Sequence, residues 1–539
     1  MAVFKTALDT QSAEFEQNRQ DMLHKVELLR SYESRAVELS EKRRPRFEER
    51  GQLSPRQRLA RLLDPGRPFL ELFNMANFLV EDANVETSIP GSSIITGIGY
   101  VSGVRCMIVV DDSGINAGAA TPLSPHKAVA AAEMAYRHKL PYVHLVESAG
   151  ANLFTYTVEL WAKGGEMFYW RARLSAAGIP TLTLLHGPST AGGAYQPGMS
   201  DYVVAVKRNG LAALAGAALV QAATGELPDE RELGGSEMHA SVSGLVEYLA
   251  EDDAHGLQIM REVIQGLDWN RDMPSSRLEF DEPLYAIDEL AGLIPADYKK
   301  AYDVRELIAR LVDGSMFLEF KSRYGPATVC VNARIMGQRC ALIGNNGPID
   351  PNGATKAAQF MQLCDQSDTP VIFLSNTTGY MVGTEVEQSG MIKHGSKMIQ
   401  AVANVRVPKI TLYIGASFGA GNYGMCGHGY HPDFLMAWPN AETGVMGGEQ
   451  AASTMDHVAR VAAQRKGVEL DEGRLSAQRE SVIDHFDGQS NIFYTSGRLL
   501  DQGIIDPRDS RKFLGFALAT CREARQRTLS PNAFGVARL

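Results

Sequence analysis

Twice along this chain the same spacing of residues appears. Lys127 stands 14 residues before Pro141 and Gly150 stands 9 after it; Lys356, Pro370 and Gly379 repeat the pattern with every position moved by 229. Gly187, Ser189, Gly193 and Tyr195 recur as Gly415, Ser417, Gly421 and Tyr423, moved by 228. Matching segments surround these anchors: ARLLDPGRPFLEL (60–72) with ARLVDGSMFLEF (309–320), GVRC (103–106) with GQRC (337–340), KLPYVHLVESAGA (139–151) with DTPVIFLSNTTGY (368–380), and GIPTLTLLHGPSTAGGAY (178–195) with RVPKITLYIGASFGAGNY (406–423). Solenoid repeats run about 20–50 residues, so a period this long means two copies of one domain. Two similar domains imply two similar pockets, and a function that holds two related things face to face.

The length of 539 residues exceeds what one core serves and fits two domains of about 250 residues. Many of the 51 glycines sit at strand ends, where backbone can approach a ligand closely. A net charge of −10 argues against nucleic-acid binding while leaving room for a local basic patch toward an anionic cofactor. The six cysteines show no metal-ligand spacing, and no metal is expected. Cys106 and Cys340 hold matching places on apolar strands and read as small buried hydrophobes. No run of 18 apolar residues occurs, so no membrane contact is expected. The N-terminus has early acidic residues and no apolar signal core, which points to the cytoplasm.

Residues 1–50 read as a charged helical arm, with a basic KRRPR run that is either a solvated face or a contact for a partner or an anionic phosphate. Ser54-Pro55 marks a helix start. From about residue 93, short β-branched strands alternate with helical stretches, the pattern of α/β layers around a mostly parallel sheet. The expected boundaries are a first domain over 51–266, a Pro- and Asp-rich linker over 267–303, and a second domain over 304–539 that closes with a charged helix.

The chemistry lies in paired glycine turns. TAGGAY (190–195) and FGAGNY (418–423) each follow an apolar strand and precede a helix. Small residues there let backbone N–H groups face a pocket and stabilise an oxyanion that forms during reaction. ESAGA (147–151) and NTTGY (376–380) supply further amides at neighbouring strand ends. No P-loop occurs, and GxGxxG is missing after the first strand. His126, His186, His394, His428 and His431 are isolated and read as packed histidines. Sites made mainly of amides suit reactants that bring their own acid–base or carbon chemistry.

STAGGAYQPGMSDY, ALVQAATGELPDERELGGSEMH, ALIGNNGPI, GASFGAGNYGMCG and WPNAETGVMGGEQAA closely resemble the carboxyltransferase β subunits of biotin-dependent acyl-CoA carboxylases, over about residues 30–530. GASFGAGNYGMCG and VMGGEQAA place the resemblance in the methylcrotonyl-CoA/geranyl-CoA branch. The resemblance implies two tandem crotonase-like (ββα-spiral) α/β domains, the first holding acyl-CoA and the second carboxybiotin. It implies that amides at Gly192 and Gly193 hold the acyl thioester oxyanion, and those at Gly419, Ala420 and Gly421 the biotin-side oxyanion. Ala149, Gly150, Ala151, Ala194, Tyr195, Gln196, Gly198, Ala217 and Ala218 would line the acyl-CoA side. Gly379, Tyr380, Phe418, Asn422 and Tyr423 would line the biotin side. In this branch the γ carbon of an α,β-unsaturated acyl-CoA gives up the proton and accepts CO2. No AMKM-like biotinylation site or ATP-binding glycine loop occurs, so the resemblance implies a separate biotinylated, ATP-using α subunit around a β hexamer in an α6β6 complex.

Departures from the methylcrotonyl pattern gather in the first half. ESAGANLFTYTVELWAKGGEMFYW (147–170) replaces a Pro/Asp-containing stretch, STAGGAYQPGMSD replaces CTAGGAYVPAMSD, and GAALVQAATGE (216–226) replaces GPPLVKAATGE. Gly198 and Ala217-Ala218 are smaller than the usual residues, and a longer acyl tail such as geranyl would use the room; Gln221 removes a lysine suited to a CoA phosphate. The alternatives are a methylcrotonyl-CoA enzyme of leucine breakdown and, from another class, a crotonase-type hydratase or isomerase whose only obvious base is Glu147.

Overall fold

The sequence repeat becomes a repeat of strand order. A computed structural model describes residues 2–152, 156–274, 278–295, 297, 300 and 302–532. Contacts divide the chain into two units with exchanged ends: one holds Arg30–Pro274, Gly497–Leu499 and Thr520–Leu539, the other Met1–Leu29, Ser275–Ser496 and Leu500–Ala519. They are called here the first and second halves.

The helices used below are α1 (Ala13–Glu41), α2 (Pro55–Leu62), α3 (Ser124–His138), α4 (Val158–Gly164), α5 (Glu166–Ala176), α6 (Tyr195–Gly198), α7 (Ala217–Thr224) and α8 (Asp253–Gly266). In the first half, β1 (Leu70–Leu72), β2 (Ile94–Val101) and β3 (Val104–Asp111) are antiparallel neighbours. The sheet continues in parallel through β4 (Tyr142–Ser148), β5 (Thr181–Thr190) and β6 (Tyr202–Val206). Short β7 (Leu211–Ala213) pairs with the end of β5, and β8 (Tyr248–Ala250) with β6.

The second half repeats this order. Its β9 (Met316–Glu319), β10 (Thr328–Ile335) and β11 (Gln338–Asn345) are antiparallel, followed in parallel by β12 (Val371–Thr377), β13 (Lys409–Phe418) and β14 (Phe434–Ala437). Short β15 (Glu442–Gly444) pairs with the end of β13 as β7 does with β5. The helices α9 (Val304–Leu311), α10 (Pro351–Gln366), α11 (Met391–Asn404), α12 (Gly419–Gly424) and α13 (Ser510–Gln526) follow the same plan. The expected α/β class with two tandem crotonase-like domains therefore holds.

Local chemistry explains the elements. Ser54 caps α2 through Gln57 in a reciprocal capping box, with Pro55 in the first turn; the matching α9 is capped by Asp303. Every residue of β3 is buried, as expected of a strand covered on both faces. Val104, Cys106, Ile108 and Val110 pack with Val143, Leu145, Leu182 and Leu184 in one cluster. Each fully buried Val or Leu there contributes roughly 1.5–3 kcal/mol. Residues at the N-terminus join the second half: Thr6 Oγ1 donates to Glu306 Oε2 at 2.6 Å, and Phe15 packs on Gly292.

Candidate active site

Both halves bring a glycine turn to the same place, the end of the fifth strand of the shared order. In the first half, the register between β4 and β5 slips between Val146 and Ser148, so that Ser148 faces Ser189. In the second, β12 and β13 slip between Ser375 and Thr377, so that Thr377 faces Ser417. These slips open both strand ends just before the turns. β5 then runs into the 3-10 turn Ala191–Ala194 and α6, and β13 into α12. Neither turn begins with a capping side chain. The first amides of a helix have no partner within it, and Gly192, Gly193, Gly419, Ala420 and Gly421 all lie in the first turns of these two segments.

The neighbouring strand ends are built alike. Gly150 N donates to Ser148 Oγ at 3.1 Å, and Gly379 N to Thr377 Oγ1 at 3.2 Å. Gly150 and Gly379 have φ of 82° and 126°, a region costly for residues with a Cβ. A Cβ on Gly193 would stand 2.8 Å from Ser189 Oγ, and one on Gly421 would stand 2.7 Å from Gly379 Cα. Glycine at both turns is thus a packing requirement that leaves the amides uncovered. Tyr195 and Tyr423 stand at matching positions and are 47% and 49% exposed.

Side chains differ more than backbone. Asn422 Nδ2 donates to Ser417 Oγ at 2.8 Å and Tyr413 Oη at 3.0 Å, tying α12 to its strand. The matching residue in the first half is Ala194, and Ser189 Oγ is buried without a hydrogen-bond partner among the described residues. Asn376 lies over Gly415, and its Oδ1 accepts from Ala416 N at 2.9 Å. Its counterpart Glu147 lies over Gly187, but the following residue is Pro188, which has no N–H to give. Glu147 instead accepts from Ser113 Oγ at 2.8 Å and stands 3.9 Å from Arg58 and 3.6 Å from His186. Burial pushes its carboxyl up, and Arg58 opposes this. Burial and Arg58 hold His186 well below its usual range, so it is neutral. This cluster lies in the interior, and Glu147 is a buried structural carboxylate, not one presented to a reactant.

The remaining expected residues lie around these turns. Ala119 pairs with Gly150, while Ala149 N donates to Gly118 O at 3.0 Å, so the 116–120 loop backs this strand end of the first half. The Tyr195 ring meets that of Phe168 on α5 at 5.5 Å, and a Cβ on Gly192 would lie 3.8 Å from Phe168 Cζ. Gln196 is buried, whereas Gly198 has open space where a Cβ would be. Ala217 begins α7; the side chains of Ala151 and Ala218, and residues 153–155 of the departing stretch, lie outside the described residues. On the other side, Tyr380 pairs with Ile349 and donates to Gly395 O at 3.3 Å, and Tyr423 packs on Tyr430. The Phe418 ring is buried beside Gly444, so its contribution to the turn is backbone. Sequence reasoning missed the hydroxyls of Ser148 and Thr377; their identical offset from Gly150 and Gly379 was the available signal.

A cavity of about 200 Å3 opens between α3, α4 and the start of α5, with apolar lining from Val129, Ala130 and Leu499 and charged lining from Lys163 and Glu166. The helix that begins at Glu166 also carries Phe168, which faces Gly192.

These paired sites define a carboxyltransferase. The carboxyl transferase domain family matches over residues 46–536, and the chain belongs to that family. The resemblance to β subunits of biotin-dependent acyl-CoA carboxylases is borne out by individual relatives. The crystal structure of the geranyl-CoA carboxylase β subunit of P. aeruginosa is similar to the whole chain, with 49% identity, a TM-score of 0.93, and 100% of each chain covered. A probable biotin-dependent acyl-coenzyme A carboxylase β2 subunit of Mycobacterium tuberculosis is 47% identical, covering 88% of both chains. The mitochondrial methylcrotonoyl-CoA carboxylase β chain of Arabidopsis thaliana is 43% identical over 91% of this chain and 84% of its own.

Proposed function

We propose that this chain transfers CO2 from carboxybiotin to the γ carbon of an α,β-unsaturated branched acyl-CoA, with geranyl-CoA as the substrate. The observation that carries the transfer is the pair of matched amide turns, each backed by a hydroxyl-supported glycine. Residues 51–266 form the acyl-CoA side and 304–539 the carboxybiotin side, joined by 267–303, with 1–50 as an arm. Gly192 and Gly193 amides bind the thioester oxygen as negative charge develops there, which is worth about 2.7–4 kcal/mol per donor. On the other side the donor set is neutral, amide and small: Gly419, Ala420 and Gly421 N–H, with Tyr380, Asn422 and Tyr423 around them. Glycine at 421 lets this turn pack against Gly379, and the neutral amide set suits the ureido oxygen of biotin. Bound carboxybiotin supplies the carboxyl group and the base for the acyl proton.

The biotin is carried by a partner α subunit that uses ATP, and the β chains form a hexamer within an α6β6 complex in the cytoplasm. No helix among the described residues is long and apolar enough to cross a membrane. Support for the longer acyl chain comes from the cavity beside Val129 and Ala130, from open space at Gly198, and from likeness to the geranyl-CoA carboxylase β subunit. The methylcrotonoyl-CoA relatives support a shorter substrate as the second reading.

The test is carboxylation of geranyl-CoA and 3-methylcrotonyl-CoA by the reconstituted complex, with wild type and Ala130→Leu. Geranyl-CoA turnover that falls about 10-fold or more in A130L, against an unchanged shorter substrate, is expected from filling a tail pocket. Turnover of 3-methylcrotonyl-CoA alone would overturn the geranyl assignment.

A further inference from the structure

Beneath the first turn runs a buried chain of charged and polar groups that the transfer chemistry does not use. Asp111, at the end of β3, accepts from Glu147 N at 3.1 Å through Oδ2, and its Oδ1 lies 3.0 Å from His144 Nε2. His144 Nδ1 lies 2.6 Å from Arg171 Nη2, and Arg171 Nη1 donates to Ser200 Oγ at 2.9 Å. Ser200 Oγ donates to Gln196 O at 2.8 Å and stands 2.6 Å from Thr183 Oγ1. Asp111, His144, Arg171 and Ser200 are at most 8% exposed.

The proton positions follow from valence. A guanidinium only donates, so His144 Nδ1 must accept, and its single proton sits on Nε2 and goes to Asp111. Burial, with a smaller push from Arg171, holds His144 below its usual range against the opposing pull of Asp111, in keeping with a neutral ring. Ser200 has one proton, given to Gln196 O, and accepts from Arg171 and Thr183. Every link thus has one direction.

The chain joins the segments that enclose the acyl-side turn. Glu147 N lies just before Ala149 and Gly150. Arg171 lies one turn along α5 from Phe168, the ring that faces Gly192 and Tyr195. Gln196 O belongs to α6, which continues the turn. The second half has no such device: Asp111 corresponds to Asn345, whose side-chain amide has no partner among the described residues, and His144 corresponds to Phe373 in an apolar core. Buried ion networks cost desolvation that apolar packing avoids, so a network in one half only calls for a role that the other half does not need.

We infer that Asp111, His144 and Arg171 are positioning residues for the acyl-side oxyanion turn, fixing α5 and α6 against the end of β4 so that the Gly192–Gly193 amides and Phe168 meet the thioester in one geometry. This rests on assigning the first half to acyl-CoA. None of the three touches substrate; their effect passes through the turn.

The test uses the complete complex with its biotinylated partner. The variants are His144→Phe, which installs the second half's residue, His144→Gln, which can accept and donate in the same line, and Arg171→Lys, which keeps charge but cannot fork between His144 and Ser200. Measured are kcat and KM for acyl-CoA carboxylation, ATP turnover in the absence of acyl-CoA, and Tm. H144F and R171K are expected to lose about 10–100-fold in kcat, the scale of a misplaced reacting geometry. KM should change less than about threefold, and ATP turnover without acyl-CoA should stay at the wild-type level. H144Q should restore most of kcat. If H144F does not fold, R171K decides: full kcat overturns the inference, as does an equal loss in both reactions. A wild-type complex that carboxylates no acyl-CoA would sink the functional reading instead, a result separable from either.

Discussion

At the end of the fourth strand of the shared order, one half places Glu147 and the other Asn376, each lying over a glycine. Asn376 is satisfied by the next strand's Ala416 N–H, and the layer around it is neutral. Glu147 faces Pro188, cannot be satisfied in that way, and belongs to a cluster with Arg58, His186 and Asp253. A single proline thus marks where two copies of one fold diverge from neutral to charged support. The backbone of the turns stays matched, down to the hydroxyl that each glycine amide reaches. What differs is what holds the turn. On the proposed assignment, amides serve an oxyanion in either half, and the first half carries additional charged scaffolding around a site that would also fit an acyl chain.

The sharpest way to break this contrast is to remove Arg58, which is fully buried and pairs with Asp253 at 2.7 Å. Arg58→Met should destabilise the first half by about 3–5 kcal/mol, because it strands buried carboxylates. Differential scanning calorimetry should show the loss in one transition while the other holds.

Two titrations, one in each half, come next. Lys127 is buried, its ammonium donating to Gly91 O at 2.9 Å and Ile94 O at 2.8 Å, and burial pushes it from 10.5 down to about 7. Below pH 7 folded and unfolded chains both carry the proton and the burial cost is complete. As pH rises from about 7 toward 10, the folded chain sheds a proton that the unfolded chain keeps, so stability rises. Lys127→Met should remove that rise from the pH profile of unfolding. Asp501 in the second half is pushed the other way, from 3.8 up to about 7 by burial, while Ser496 and Gly503 hydrogen bonds oppose the shift. Between those values the folded chain holds a proton that the unfolded chain has lost, so stability falls as pH rises from 4 to 7. Asp501→Asn keeps the acceptor oxygen and should flatten that fall, making the variant more stable than wild type at pH 8.

The smallest effect is expected at Gly198, where a Cβ meets nothing within 4 Å. Gly198→Ala should leave Tm unchanged or raise stability by up to about 1 kcal/mol. A Tm drop of several degrees would show the open space to be filled.

Much of this was legible in the sequence, and the reason is spacing. Gly193 and Gly421 announce themselves because a Cβ at either would collide with a strand end, so the fold tolerates little else at that offset. The same repeat implied that both halves share one α/β plan, while the strand order itself came only with the structure. The Asp111–His144–Arg171 chain was not legible. Its members lie 33 and 27 residues apart and meet only because parallel strands and a crossover helix bring them together. His144 sits inside an apolar strand, where a lone histidine reads as packing. Gln196, expected at the substrate, is buried, and its carbonyl accepts from Ser200 Oγ.

The central claim is that the first turn serves acyl-CoA and the second serves carboxybiotin. The most direct test crosses Gly193→Ala and Gly421→Ala with two reactions of the reconstituted complex: acyl-CoA carboxylation, and ATP turnover without acyl-CoA, which reports decarboxylation on the biotin side alone. G193A should lower carboxylation about 100-fold or more and spare the acyl-CoA-independent turnover, while G421A should lower both. Loss of acyl-CoA-independent turnover in G193A, with its survival in G421A, would contradict the assignment of the two halves.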